Sequence, residues 1–202
     1  KHLVINNYYC LLMRYISFLS CGLLLFTSTG HTHVFPSQSG WAHPLSGLDH
    51  ILAMIAVGAW SAILGQRAIW LVPTFFVCFM LIGSLIGVAQ FELPYTEQGI
   101  ALSVIVLGCA IAIKGKIPTI FAALCTALFG IFHGFAHGYE LPVIDDALLY
   151  ISGFMLTTAL LHVLGLVIGH HLLKSNVGKK ILQFSGVVCT SLGVYILVNS
   201  FY

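Results

Sequence analysis

The order of apolar and polar residues divides the chain into long hydrophobic runs separated by short polar connections. Beyond residue 40, six such runs approach the roughly 20 residues that a helix needs to cross a bilayer. Their approximate bounds are 45–65, 68–89, 98–113, 117–138, 146–172 and 178–200. None of the connections is long enough to hold a soluble domain. The pattern therefore predicts an all-α protein, a polytopic membrane helix bundle.

Composition agrees with this prediction. Of the 202 residues, 59% are hydrophobic and only 7% are charged, whereas soluble domains carry about 25% charged residues. The 8 Lys and Arg residues nearly balance the 6 Asp and Glu residues, so no basic patch for nucleic acid is expected. A soluble enzyme, a nucleic-acid-binding protein and a disordered regulator are excluded, and the lipid bilayer is the expected partner.

The first 30 residues have the features of a leader with a signal peptide. Arg14 precedes an apolar stretch over 15–27, and the small residues at 28–30 offer a cleavage site. We therefore expect residues 1–30 to be a leader and signal peptide, and residues 31–202 to form the six-helix transmembrane domain. An uncleaved first transmembrane helix is the alternative.

Basic residues occur only in alternate connections of the six predicted spans. They follow spans one, three and five, at Arg67, Lys114, Lys116, Lys174, Lys179 and Lys180. By the positive-inside rule these connections are cytoplasmic. We therefore predict a multi-pass membrane protein with the mature amino terminus outside. Small residues at four-residue spacing in span four, from Ala122 to Gly138, predict close helix packing.

One polar group lies at the start of span one. His43 and His50 are seven residues apart, with Asp49 beside His50. Pro44 suits the first turn of a helix, so two helical turns are expected to stack the two histidines on one face. A carboxylate and an imidazole inside the membrane are costly unless something compensates.

A second polar group lies at the outward end of span four. His133 and His137 have the i, i+4 spacing with which two imidazoles can bind one metal, and Glu140 follows one turn later. Both groups reach the same side of the membrane, so together they could enclose one ion. Such nitrogen-rich ligands suit Ni2+, Co2+, Cu2+ or Zn2+ rather than Mg2+ or Ca2+. His162, in the inner half of span five, could be a relay point or a packed residue.

The stretches HPLSGLDHILAMIAVGAW and HGFAHGYELP, which begin at His43 and His133, resemble the HupE/UreJ family. These are hydrogenase- and urease-accessory membrane proteins regarded as nickel permeases. The resemblance implies uptake of Ni2+ across the bacterial inner membrane, with the metal ligands His43, Asp49, His50, His133, His137 and Glu140.

The sequence also bears on mechanism and on rival functions. It holds no GxxxxGK[ST] loop, so transport driven by this chain's own ATP hydrolysis is excluded. We expect a secondary permease or facilitator and not an enzyme. An intramembrane metal-dependent hydrolase is the main alternative, because His, Asp and His around zinc would be chemically adequate, and Glu140 could serve as the acid or base. Haem binding is a third alternative. His133 and His137 lie on one helix face, so they could not bind one haem from opposite sides.

Overall fold

The computed structural model describes residues 40–141 and 147–201. This part of the chain contains six α-helices and no strand. A short 3-10 helix at His43–Leu45 comes first. It is followed by α1 (Leu48–Leu64), α2 (Ala68–Val88), α3 (Thr96–Ile113), α4 (Thr119–Tyr139), α5 (Ala147–Leu172) and α6 (Asn176–Asn199). The all-α prediction is confirmed, and each of the six predicted apolar runs corresponds to a helix. The predicted leader and signal peptide lie outside the described residues.

Five of the helices, α2 to α6, are long and apolar enough to cross a membrane. The remaining helix, α1, is apolar but has 17 residues, or about 26 Å of helix, which is near the lower limit for a span. It contacts each of the other five helices. The protein is therefore a multi-pass membrane bundle built around a short central helix.

The two ends of the bundle differ in their polar residues. We call one of them the histidine end; there α1 begins beside Asp49 and α4 ends beside Glu140. We call the opposite one the lysine end; its connections hold Arg67 and Lys114.

The predicted stripe of small residues in α4 packs against the backbone of α2. A Cβ atom added at Gly134 would collide with the carbonyl oxygen of Met80, and Gly138 lies equally close to the backbone of Ser84. Further along, the Thr126 hydroxyl donates a 3.1 Å hydrogen bond to the carbonyl of Val72. One turn further along α4, from Gly134 to Gly138, the contact also moves one turn further along α2, from Met80 to Ser84. The two helices therefore run parallel in a fixed register. The packing interpretation of this stripe is confirmed.

Two other helix pairs complete the bundle. On α1, Gly58 lies against the backbone of His162 of α5. The remaining helices, α3 and α6, pack in antiparallel fashion, with Gly108 against Thr190 and a 3.0 Å hydrogen bond from Gln98 Nε2 to the carbonyl of Ser200. Close contacts at glycine let these apolar helices approach each other without a hydrophobic driving force between them.

The start of α1 differs from the expected geometry. The 3-10 helix ends at Leu45, Gly47 is extended with φ −97° and ψ 122°, and the α-helix begins only at Leu48. No continuous helix therefore joins His43 to His50, and the prediction that two turns stack them on one face is wrong. The structure describes the backbone of His43 but not its side chain.

Candidate metal centre

Three imidazoles from two helices meet near the histidine end. His50 comes from the first turn of α1, and His133 and His137 come from the last two turns of α4. The ring centroid of His50 lies 4.8 Å from that of His133 and 4.8 Å from that of His137. Among the predicted site residues, these three are the ones whose rings the structure brings into contact.

Asp49 fixes the orientation and the tautomer of His50. Its Oδ1 atom accepts a 2.8 Å hydrogen bond from the backbone N–H of His50 and lies 3.0 Å from Nδ1 of the same residue. Because a carboxylate can only accept, Nδ1 must carry the proton, which leaves a lone pair on Nε2. The Nε2 atom is buried and has no hydrogen-bond partner in the described part of the chain.

Ser103 does the same for His133. The serine hydroxyl donates its single proton to the carbonyl of Ile100 at 2.6 Å, and it lies 2.9 Å from Nε2 of His133. The imidazole must therefore donate from Nε2, so its lone pair is on Nδ1. Within residues 40–141 and 147–201, this buried Nδ1 atom also has no hydrogen-bond partner.

His137 is positioned by an aromatic ring. Its imidazole stacks on Phe154 of α5, with ring centroids 4.7 Å apart and planes inclined by 26°. Stacking restricts the ring to one plane while leaving its edge directed sideways. Since His50 meets that imidazole at 60°, the edges of the two rings face different directions.

Burial gives the cluster an accessible side and a closed side. The side chains of Asp49 and His50 are 20% and 13% exposed, whereas His133 and His137 are buried. An ion arriving at the histidine end would therefore meet Asp49 and His50 first. Asp49 also supplies the negative charge that attracts a cation to this entrance.

The two remaining predicted ligands lie outside this cluster or outside the described atoms. Glu140 is exposed at the C-terminal cap of α4 and interacts electrostatically with Tyr150. The side chain of His43 is not described. Their assignment as metal ligands therefore stays a prediction.

The cluster is not a finished ligand set in this conformation. Among the described residues, no three His, Cys, Asp or Glu side chains have donor atoms arranged to hold a metal ion together. The spacing of the rings is nevertheless suitable, because two imidazoles on one ion, with bonds of about 2.1 Å, place their centroids roughly 4.6 to 5.3 Å apart.

Comparison with known proteins agrees with the two motifs. The HupE / UreJ protein family model matches residues 16–196. The chain belongs to the HupE/UreJ family. Protein HupE of Rhizobium leguminosarum bv. viciae is similar to it, with 40% identity over 180 residues that cover 87% of this chain and 94% of that protein. No solved structure matches the chain.

Three residues beside the HupE/UreJ motifs were not foreseen from the sequence. Ser103 orients His133, Phe154 supports His137, and Phe76 of α2 contacts His133 with ring centroids 5.4 Å apart. A serine or phenylalanine within an apolar span gives no signal of its own. Only the neighbours that the fold provides distinguish these three from ordinary core residues.

Proposed function

We propose that this HupE/UreJ protein is a secondary permease or facilitator that takes up Ni2+ across the bacterial inner membrane. The ion would supply a nickel enzyme such as hydrogenase or urease, and Co2+ is the second candidate cargo. The histidine end would face outward, because the basic connections occur at the opposite end.

One observation carries this proposal. His50 and His133 have rings 4.8 Å apart, and each presents a buried nitrogen lone pair without a hydrogen-bond partner among the described residues. A buried acceptor left unpaired costs about 1 to 3 kcal/mol. A divalent transition-metal ion would satisfy both lone pairs at once, because neutral imidazole is among its preferred ligands.

The arrangement around His50 is typical of a metal-binding histidine. Such residues usually donate their second ring N–H to a carboxylate or another acceptor, which fixes the tautomer and raises ligand basicity. Asp49 has this relation to His50, and Ser103 has it to His133. We therefore assign His50, His133 and His137 as the ligands and Asp49 as the residue that positions His50.

The same geometry favours a transport pathway for the ion over a catalytic site. A hydrolase would need an acid or base beside the metal and an open position for water. Asp49 is already bonded to His50, and Glu140, the expected base, is exposed at the end of α4. A buried site that opens toward one end of a membrane bundle is suited to receiving a dehydrated ion.

The test is uptake of radiolabelled Ni2+ by lipid vesicles that contain the purified full chain. Replacing either ligand, His50→Ala or His133→Ala, removes an imidazole and is expected to lower uptake by at least about 100-fold. An excess of unlabelled Ni2+ should compete more strongly than the same excess of Co2+. Each variant must be reconstituted at the same protein-to-lipid ratio.

His171→Ala is the matched control, because His171 is an exposed histidine at the lysine end of α5. Its uptake should equal that of the unmodified chain. If His50→Ala and His133→Ala also transport at the unmodified rate, the proposed site is wrong. If the unmodified chain takes up no Ni2+, the proposed cargo is wrong.

A further inference from the structure

A fourth histidine lies deeper in the bundle. His162 is in the second half of α5 and only 2% exposed. Neither of its ring nitrogens has a hydrogen-bond partner in residues 40–141 and 147–201. An ordinary buried histidine satisfies at least one of its nitrogens, so packing alone gives an incomplete account of this residue.

One aromatic ring joins His162 to the cluster at the histidine end. Phe76 is fully buried, and its ring lies 5.4 Å from the centroid of His133 and 5.1 Å from that of His162. The contact with His162 is edge-to-face, at 88°. The two histidines therefore have a single phenylalanine side chain in common.

One face of α5 also leads from the cluster at the histidine end to His162. Phe154, which stacks on His137, is followed at four-residue intervals by Thr158 and His162. Residues four apart lie on one face, separated by about 6 Å along the helix axis. The hydroxyl of Thr158 is buried and has no partner among the described side chains and backbone. This hydroxyl offers one oxygen between His137 and His162.

A groove beside His162 opens on the outside of the bundle, where Trp70 and Val163 are exposed. It has a volume of about 260 Å³ and lies between α2 and α5, where its walls include Trp70, Thr74, Cys78, His162 and Leu166. Pro73 and Ile69 line it too. Since proline has no N–H, the usual helical hydrogen bond to the carbonyl of Ile69 cannot form. The walls of this groove are mainly apolar.

We propose that His162 is a second, transient binding site for the transported divalent cation. The ion would leave His133, pass Phe76 when that side chain rotates, bind His162, and then continue inside the bundle toward the lysine end. This inference rests on the proposed function and adds a site and a route to it. The order along this route is the entrance cluster, Phe76 and then His162.

The first experiment distinguishes movement of the ion through the bundle, measured as the maximal rate, from binding of the ion at the entrance, measured as KM. In vesicles containing the purified full chain, His162→Phe keeps an aromatic ring beside Phe76 but removes both nitrogens. We expect the maximal rate of Ni2+ uptake to fall by about tenfold, while the KM for Ni2+ stays within about twofold because the entrance cluster is intact. Thermal unfolding of the variant in detergent is measured in parallel.

The second experiment distinguishes a ligand from a packed side chain. His162→Cys, His162→Ser and His162→Ala introduce side chains of similar size, but the cysteine thiolate is the strongest metal ligand of the three. We expect the cysteine variant to keep at least about fivefold more uptake than the other two. A packing role predicts instead that Cys and Ala behave alike, which would overturn the proposal.

The outcomes separate this inference from the proposed function. If His50→Ala abolishes uptake while His162→Phe leaves the maximal rate unchanged, the cation does not use His162 and only this inference fails. If the unmodified chain takes up no Ni2+, the proposed function fails and this inference fails with it. The combination that supports it is a lower maximal rate, an unchanged KM and partial rescue by cysteine.

Discussion

His133 and His162 contact the same phenylalanine ring, but their imidazoles are held differently. The Nε2 atom of His133 donates to Ser103, which fixes both the ring and its tautomer. His162 has no such acceptor among the described residues. The first imidazole is thus prepared to bind in one direction, while the second can present either nitrogen.

This difference matches what each position must do in a transport path. A site that takes an ion from water must replace its hydration shell, which requires ligands oriented in advance. A site inside the path must release the ion again, so a loosely held ligand is an advantage. The comparison therefore predicts that the anchors Asp49 and Ser103 control capture of the ion, whereas His162 controls its passage.

Among changes to the residues around these imidazoles, the largest loss of Ni2+ affinity is expected at the carboxylate anchor, Asp49. Asp49→Ala leaves Nδ1 of His50 without its acceptor and removes the negative charge at the entrance. Loss of such a partner lowers metal affinity by about 10- to 100-fold, and we expect a value near the upper end in equilibrium binding of Ni2+. The maximal rate at saturating Ni2+ should change less than the affinity.

Asp49→Asn sharpens this test, because the amide oxygen can still accept from Nδ1. An intermediate affinity would show that orientation and charge both contribute. If the asparagine variant is as weak as the alanine variant, charge alone accounts for the effect. An alanine variant with unchanged affinity would contradict the idea that anchoring matters for capture.

A smaller loss of Ni2+ affinity is expected at the uncharged anchor, Ser103. Ser103→Ala removes the acceptor for Nε2 of His133 but no charge, so we expect Ni2+ affinity to fall by about tenfold. Ser61→Ala is the matched control, since Ser61 is also a buried serine whose hydroxyl bonds to a helical carbonyl, that of Gly58 at 2.7 Å. Equal affinities in the two variants would contradict the role given to Ser103.

The sequence predicted the spans well because each one is a continuous apolar run with a charged or turn-forming boundary. It also placed His133 and His137 on one uninterrupted helix, where both rings contact that of His50. The prediction for His43 and His50 was wrong because Gly47 interrupts the helix between them. A helical spacing rule holds only where the helix is continuous.

Contacts between helices could not be predicted in the same way. Ser103 is on α3 and Phe76 is on α2, and their meeting with His133 depends on how α4 packs against both. The stripe of small residues in α4 indicated close packing but not its partner. Register between α2 and α4 is set by contacts such as Gly134 with the backbone of Met80, which only the assembled bundle reveals.

The smallest effect is expected from Gly47, just before α1. A Cβ atom there would lie 2.7 Å from Asp49 Oδ1 and 3.0 Å from His50 Nδ1, so the hydrogen-bonded pair would have to shift. Because both atoms belong to side chains that can move, Gly47→Ala should raise the KM for Ni2+ by about threefold, less than 1 kcal/mol, without unfolding the protein. Gly115→Ala is the control, since a Cβ there meets only the Ile113 side chain, at 3.3 Å. A Gly47→Ala variant with an unchanged KM would show that Ni2+ binding tolerates a displaced Asp49. The difference between the fixed imidazole of His50 and the unanchored imidazole of His162 would then not explain how the two sites function.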